Sequence, residues 1–303
     1  MNIDVSVVIP TYNRNKTLIR AVTSALKQNY QNFEIIVIDD ASNDGTEKSM
    51  RSVNDKKIVY VKHEVNKGGS AARNTGIKLS RGSYIALLDS DDEWLEDKLI
   101  TQVGLLKKLD NSWGGTYCSY YSICKNDKSF LSRAALEGNL TKQLFLKELN
   151  IGASSTLLFR KEVFERIGLF DESFARHQDW EFLVRFFRKY KLAKNDEPLV
   201  KVYGPNMPCG EKSAAIKEQF LSTFQNDILS FGDDFAREVL SKHWFEVAVA
   251  YAREGNLFKC CLYSKKATTF FPLSIQQWLK LMDIFLRKTL KSLLRGFKYN
   301  EKK

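Results

Sequence analysis

At 303 residues the chain is long enough for one large domain or two smaller ones. Hydrophobic residues make up 44% and charged residues 27%, an ordinary balance for a soluble globular protein. No apolar run reaches the roughly 20 residues that a bilayer span requires, so a transmembrane helix is excluded. In chain order, an apolar β-branched run at 5–9 closed by Pro10 predicts a buried strand. A helix is expected over 16–27, with Leu18, Ile19, Val22, Ala25 and Leu26 on one face. Strands follow at 33–38, ending in Asp39-Asp40, and at 58–61. A helix at 70–79 follows Gly68-Gly69, and a strand at 83–88 runs into Asp89-Ser90-Asp91-Asp92. Continuous apolar strands alternating with helices predict an α/β fold, with a mostly parallel sheet covered by helices on both faces.

Further along, a helix is expected at 96–108 and strands at 116–123 and 154–160. Helices at 161–167 and 179–190 and a last strand at 199–203 complete the pattern. Composition shifts near 204–208, and beyond about residue 212 the pattern is all helical. The expected division is therefore a first domain over 1–210 and a helical region over 211–303. Residues 245–272 resemble one tetratricopeptide-type hairpin, through Ala248, Tyr251, Gly255, Ala267 and Pro272, but a single unit makes no array. The helix expected at 278–297 is amphipathic. Met282, Leu286, Leu290, Leu293 and Phe297 form one face, and Arg287, Lys291, Arg295 and Lys298 group on another. Two readings stand: an interfacial membrane helix, or a helix packed on the protein with a solvated basic face.

The net charge of +11 is uneven: from Ser241 onward thirteen basic residues face four acidic ones. Such asymmetry points to an anionic partner for this end. The five cysteines show no CxxC pair and support neither a disulfide framework nor a zinc site. With no secretory signal at Met1 to Val5, a reducing cytoplasmic compartment is expected.

The acidic run is the most informative stretch. Three carboxylates within four residues repel one another at the end of a buried strand unless a cation sits there. Mg²⁺ or Mn²⁺ suits oxygen ligands and completes its shell with water and phosphate. The competing reading is a solvated turn that caps the following helix. In parallel sheets ligands bind beyond the carboxyl ends of the strands. Pro10-Thr11, Asp39-Asp40 and Asp89 to Asp92 all fall there.

Four ordered motifs run through this region. They are Val7-Val8-Ile9-Pro10-Thr11-Tyr12-Asn13-Arg14, then Phe33 through Asp39-Asp40 to Thr46, then Asn66-Lys67-Gly68-Gly69-Ser70-Ala71-Ala72-Arg73-Asn74-Thr75-Gly76, and last Leu88-Asp89-Ser90-Asp91-Asp92. With this order and spacing, residues 5–203 resemble the family 2 glycosyltransferases, inverting enzymes of the GT-A fold. The remaining 100 or so residues inherit little from the resemblance.

The resemblance implies that Pro10, Thr11, Tyr12 and Arg14 form a segment around a nucleoside. Asp40 would accept the N3–H of uracil, which favours uridine over bases lacking that donor. Gly69 would let the backbone approach the nucleotide, and Arg73 would lie near the diphosphate or the acidic pair. In the DxD pattern Asp91 would ligate Mn²⁺ or Mg²⁺, Asp89 would contact the ribose or steady the loop, and Asp92 would stand behind them. His177-Gln178-Asp179-Trp180-Glu181 resembles the family's acidic motif before a helix. Asp179 is assigned there as general base, although it is also well placed to cap that helix. Trp180 would stack on a sugar or nearby loop, and Ser154 belongs to a segment lining the acceptor side.

The resulting expectation is a metal-dependent inverting transferase that moves a hexose from a UDP-sugar to a lipid-diphosphate saccharide. Glucose is the first guess for the donor sugar, ahead of galactose or an N-acetylhexosamine. O-antigen or capsule assembly is the expected setting, with peripheral contact to anionic lipids at the inner face of the cytoplasmic membrane. A nucleotidyltransferase is a rival, but Pro10-Thr11-Tyr12-Asn13 stands where its basic, Gly-rich loop would be. A nucleic-acid-binding module is a second rival, and it lacks a recognised motif, so no nucleic-acid partner is expected.

Overall fold

The computed structural model describes residues 3–124, 128–204, 209–284 and 286. The chain divides into two compact units, Met1–Leu144 with Glu148–Gly204, and Phe145–Lys147 with Pro205–Lys303.

The first unit opens with β1 (Val5–Thr11), α1 (Asn15–Leu26), β2 (Phe33–Asp39), α2 (Thr46–Ser52), β3 (Ile58–Lys62), α3 (Gly69–Leu79) and β4 (Tyr84–Leu87). It continues with β5 (Glu93–Trp94), α4 (Lys98–Lys108), β6 (Trp113–Ile123), β7 (Ser129–Ser132) and α5 (Thr141–Phe145). After a 3₁₀ turn at Ser154–Thr156 come β8 (Leu158–Arg160), α6 (Lys161–Ile167), α7 (Gln178–Phe187) and β9 (Lys191–Tyr203). One sheet joins the strands in the order β3-β2-β1-β4-β8-β6-β9-β5, with β7 paired to β6. The first four strands are mutually parallel. β8 is antiparallel to both of its neighbours, and β9 runs parallel to β6.

Helices cover both faces of the parallel part, as continuous apolar strands require. Side chains alternate across a strand. Val5, Val7 and Ile9 of β1 and Phe33, Ile35 and Val37 of β2 therefore share one buried cluster with Leu18, Val22, Leu99 and Val103 from α1 and α4. Ile36 and Ile38 face the other way and pack with Ala72 of α3. There α3 comes so close to β1 that a Cβ on Gly76 would sit 2.5 Å from Val8 Cγ1, so only glycine fits. Further along, Phe159, Phe164, Phe170, Phe182 and Phe186 form an aromatic cluster, with Phe164 and Phe182 stacked at 5.0 Å. This cluster seats α7 against the sheet.

Three sequence expectations change. The acidic run is followed by the short strand β5, and α4 begins only at Lys98 with Asp97 at its cap. The run therefore does not cap that helix. The segment at 154–160 is a 3₁₀ turn before a three-residue strand, because Ser154, Ser155 and Thr156 are buried and hydrogen-bond locally. The last strand is 13 residues long, not five. Its polar first half, Lys194 to Glu197, hid the strand pattern, and register shifts against β6 accommodate it.

In the second unit, α8 (Gly210–Thr223), α9 (Gln225–Leu229), α10 (Asp233–Glu254) and α11 (Leu257–Phe270) follow in order. α10 and α11 form a helical hairpin. Gly255 closes α10 in the left-handed region, Asn256 caps α11 through Lys259 N, and Tyr251 stacks on Tyr263 at 5.4 Å. Residues 275–284 are helical, and Ile275, Trp278, Leu279 and Met282 are exposed. The remainder of the helix expected at 278–297 lies outside the described residues, Leu286 excepted. Among the described residues, no helix is long and apolar enough to cross a membrane.

Candidate active site

Parallel pairing brings the carboxyl ends of β1, β2 and β4 to one edge, with Thr11 in register with Asp39. Asp39 and Asp40 then divide their tasks. Asp39 accepts from Ser42 N at 2.8 Å and from Tyr60 Oη, which fixes the turn after β2. Asp40 is buried. Its Oδ1 accepts from His63 Nδ1 at 2.8 Å and Lys67 N at 2.9 Å, and its Oδ2 from Gly68 N at 2.7 Å. Asp44, by contrast, is a turn carboxylate bonded to Thr46 and to Asn15 N.

Pro10 and Thr11 lie inside β1 and are buried, whereas Tyr12 emerges 47% exposed. Gly68 takes a positive φ of 93° as α3 begins at Gly69. A Cβ on Gly69 would lie 3.3 Å from a guanidinium nitrogen of Arg73. That buried arginine joins two parts of the site: it donates to Asp89 Oδ1 at 2.5 Å and to Gln178 Oε1 at 2.7 Å. Thr11 Oγ1 and Arg73 Nε are also buried and have no hydrogen-bond partner among the described residues. A buried polar atom left unsatisfied costs about 1–3 kcal/mol, so both atoms suit a polar ligand.

The three carboxylates of the acidic run have different surroundings. Asp89 faces Arg73, and its N–H donates to Ser155 Oγ. Asp91 is about one-third exposed and ion-paired with Arg14, while its carbonyl accepts from Arg20. Asp92 is buried and accepts from Ser155 Oγ at 2.5 Å and Tyr203 N at 3.0 Å. Burial, with the charges of Asp89 and Asp91, pushes it up to about 8. Asp91 is thus the carboxylate open to a cation. One such ligand suits Mn²⁺ or Mg²⁺ held together with substrate phosphates. Among the described residues no cluster of three or more His, Cys, Asp or Glu side chains forms an all-protein metal cage.

Asp179 sits in the first turn of α7, but the cap position belongs to His177, which takes a left-handed conformation with φ 61°. A left-handed non-glycine residue costs of order 1–3 kcal/mol and is tolerated where the surroundings enforce it. Asp179 nevertheless bonds the helix start, its Oδ1 accepting from Trp180 N at 3.0 Å, and its other oxygen is left for a further partner. Burial raises its carboxyl above the ordinary range, Arg73 opposes this, and the charge of Asp89 adds to it. Trp180 packs its ring 4.8 Å from that of His177. Glu181, the other carboxylate of the His177-to-Glu181 motif, is buried and engaged by Arg185 at 2.5 Å. Ser154 is buried in the 3₁₀ turn, and it is the adjacent Ser155 that touches the acidic run. Ser155 was expected only as part of the acceptor-side segment with Ser154, and Gln178 only as part of the acidic motif; their bonds to the acidic run and to Arg73 were not foreseen.

The family model for glycosyl transferase family 2 matches residues 6–168. A UDP-Glc:alpha-D-GlcNAc-diphosphoundecaprenol beta-1,3-glucosyltransferase of Escherichia coli, WfgD, is 35% identical over 156 residues, covering 52% of this chain and 60% of that protein. The amylovoran biosynthesis glycosyltransferase AmsB of Erwinia amylovora is 33% identical over 194 residues, covering 61% and 64%. The chain thus spans less than two thirds of the length of these relatives. Among solved structures, S. aureus TarS 1–349 in complex with UDP-GlcNAc superposes with a TM-score of 0.67 at 16% identity, covering 97% of this chain and 92% of that one. The mannosyltransferase PcManGT of Pyrobaculum calidifontis, with GDP-Man and Mn²⁺, gives 0.58 at 17% identity, covering 97% and 88%. The ordered motifs, the parallel sheet edge and the family match agree: the chain has the GT-A fold and belongs to glycosyl transferase family 2.

Proposed function

We propose that this chain is a metal-dependent inverting glycosyltransferase that moves a hexose, glucose first, from a UDP-sugar to a lipid-diphosphate-linked saccharide. One observation carries the reading. Asp40, the Asp89-to-Asp91 pair and Asp179 gather at one sheet edge, and Arg73 ties Asp89 to the helix that bears Asp179. Tyr12, exposed beside Asp40's strand, offers a face to a base, and Asp40 an acceptor to its imide N–H. Asp91 would hold Mn²⁺ or Mg²⁺, which would neutralise charge on the departing nucleoside diphosphate. Asp179 would take the proton of the acceptor hydroxyl, on the face opposite the leaving group. A single displacement of this kind turns an α-linked donor into a β-linked product.

The acceptor class and the setting in O-antigen or other surface-polysaccharide synthesis lean on the E. coli relatives, whose names specify a diphosphoundecaprenol acceptor. Peripheral contact with anionic lipid at the inner membrane face is supported by the +9 charge after Ser241. The exposed Ile275, Trp278, Leu279 and Met282 support it as well.

The deciding experiment is a donor screen with Mn²⁺ against a synthetic lipid-diphosphate monosaccharide, run with and without chelator. Turnover of a UDP-hexose that chelator abolishes is the expected result. GDP-sugar turnover would overturn the donor reading, and chelator-resistant turnover the metal reading.

A further inference from the structure

Asp40 has more partners than a carboxylate waiting for a ligand would need. Two carboxylate oxygens offer about four acceptor directions. Oδ1 accepts from the His63 ring and from Lys67 N, and Oδ2 accepts from Gly68 N. One direction, on Oδ2, is left. A carboxylate only accepts, so Nδ1 of His63 carries the hydrogen. The far side of the ring is fixed as well: Nε2 lies 3.0 Å from Thr75 Oγ1, and that hydroxyl lies 3.0 Å from Ala71 O on α3. His63 N donates to Asp39 O at 2.8 Å, which fixes the backbone at the end of β3. The imidazole is buried and clamped between the turn after β2 and the second turn of α3.

We propose that His63 is the positioning residue of this carboxylate and sets which nucleotide base the site accepts. This rests on the reading of Asp40 as the acceptor for a base. With Oδ1 occupied, Asp40 offers one acceptor position. Uracil presents one imide N–H to it. Cytosine presents a ring nitrogen that is itself an acceptor, so two lone pairs would meet. Guanine presents two adjacent donors, of which one would lose its partner. A site built around one hydrogen bond rejects bases that leave a buried group unpaired. Without His63, Oδ1 regains a free direction, the carboxylate can turn, and the distinction weakens.

The test measures binding of UDP, CDP and GDP by calorimetry in the presence of Mn²⁺, for the full chain and its variants. The wild type is expected to prefer UDP. His63→Leu is expected to narrow the UDP-over-CDP and UDP-over-GDP ratios by about tenfold or more. His63→Gln, whose amide can still donate to Oδ1, is expected to restore part of the preference. A wild-type ratio in His63→Leu would overturn the proposal and leave His63 a packing residue. If the wild type shows no preference, or Asp40→Asn leaves it unchanged, the base-reading role of Asp40 fails, and this proposal with it. Should His63→Leu not fold, Thr75→Val removes only the Nε2 partner. A smaller narrowing of the same ratios is then expected, and unchanged ratios overturn the proposal.

Discussion

Arg73 donates to Asp89 at 2.5 Å while its other terminal nitrogen holds Gln178, the residue before Asp179. One buried guanidinium therefore ties the acidic loop after β4 to the first turn of α7. Its charge also opposes the forces that raise Asp179. Replacing it by Met keeps the aliphatic stem and removes both bonds. We predict that Arg73→Met lowers kcat by about 10²-fold, as a misplaced catalytic group does, with nucleotide affinity falling far less. Steady-state kinetics beside UDP calorimetry would separate the two. A loss of UDP affinity with kcat unchanged would show that Arg73 serves binding alone.

Arg14 competes for the carboxylate assigned to the metal. Its guanidinium is paired with Asp91, and both side chains are partly exposed. A divalent cation approaching Asp91 must displace or repel it. We predict that Arg14→Gln tightens Mn²⁺ binding in the absence of nucleotide by up to about fivefold, the scale of one partly screened ion pair. The same variant should weaken UDP binding if Arg14 moves to the diphosphate. Titration of free Mn²⁺ by its paramagnetic resonance signal reads the first effect directly. Weaker metal binding would mean that Arg14 supports the loop rather than competing with the ion.

The convergence of part of the candidate site was legible in sequence because those parts are short motifs at strand ends, where a parallel sheet gathers them. Asp40, Asp89 and Asp91 could be named that way, whereas Arg73 on α3 and Asp179 on α7 were named only through the family resemblance. What was not legible is which atoms each one faces. Ser155 was legible only as part of the acceptor-side segment, because its link to Asp89 and Asp92 comes from the three-dimensional approach of the 3₁₀ turn to the acidic run. The competing reading of Asp179 as a cap was reasonable by residue type. It holds in part: His177 takes the cap position in a left-handed conformation, while Asp179 Oδ1 still accepts from Trp180 N in the first turn. The first half of β9 was missed because its polar residues obscure the alternation by which a strand is recognised.

Glu34 offers a test of the fold apart from the chemistry. It is buried on β2, accepts from Ser6 Oγ at 2.7 Å and Arg81 N at 2.8 Å, and is gripped by the Arg81 guanidinium. Burial works to raise its carboxyl, but the bonds from Arg81 and Ser6 win and hold it below the usual range. A carboxyl lowered in the folded state contributes stability that is present above its unfolded value and lost as pH falls through the folded one. We predict that Glu34→Gln destabilises the protein at neutral pH by about 1–3 kcal/mol, the cost of disrupting a buried charged hydrogen-bond network. The difference should shrink below pH 4. Urea unfolding at pH 7 and pH 3.5 measures both, and a constant difference would exclude a role for the ionised carboxyl.

Asp179 carries the sharpest prediction about the reaction. A general base must be ionised to accept a proton, so activity falls as pH drops through its pKa. Burial and the charge of Asp89 raise that value above an ordinary aspartate despite the opposing Arg73. The acid limb of the kcat profile should therefore lie above the usual aspartate range. Arg73→Met removes the opposing charge and should move the limb further up. Asp179→Asn should lower kcat by about 10²–10⁴-fold, the span of general-base contributions, and leave UDP affinity within about threefold because the residue lies away from the base-reading turn. The pH–rate profiles of wild type, Arg73→Met and Asp179→Asn, with one UDP titration each, decide it. Full activity in Asp179→Asn would pass the role to another group. An acid limb that Arg73→Met leaves in place would show that a different carboxylate governs the profile.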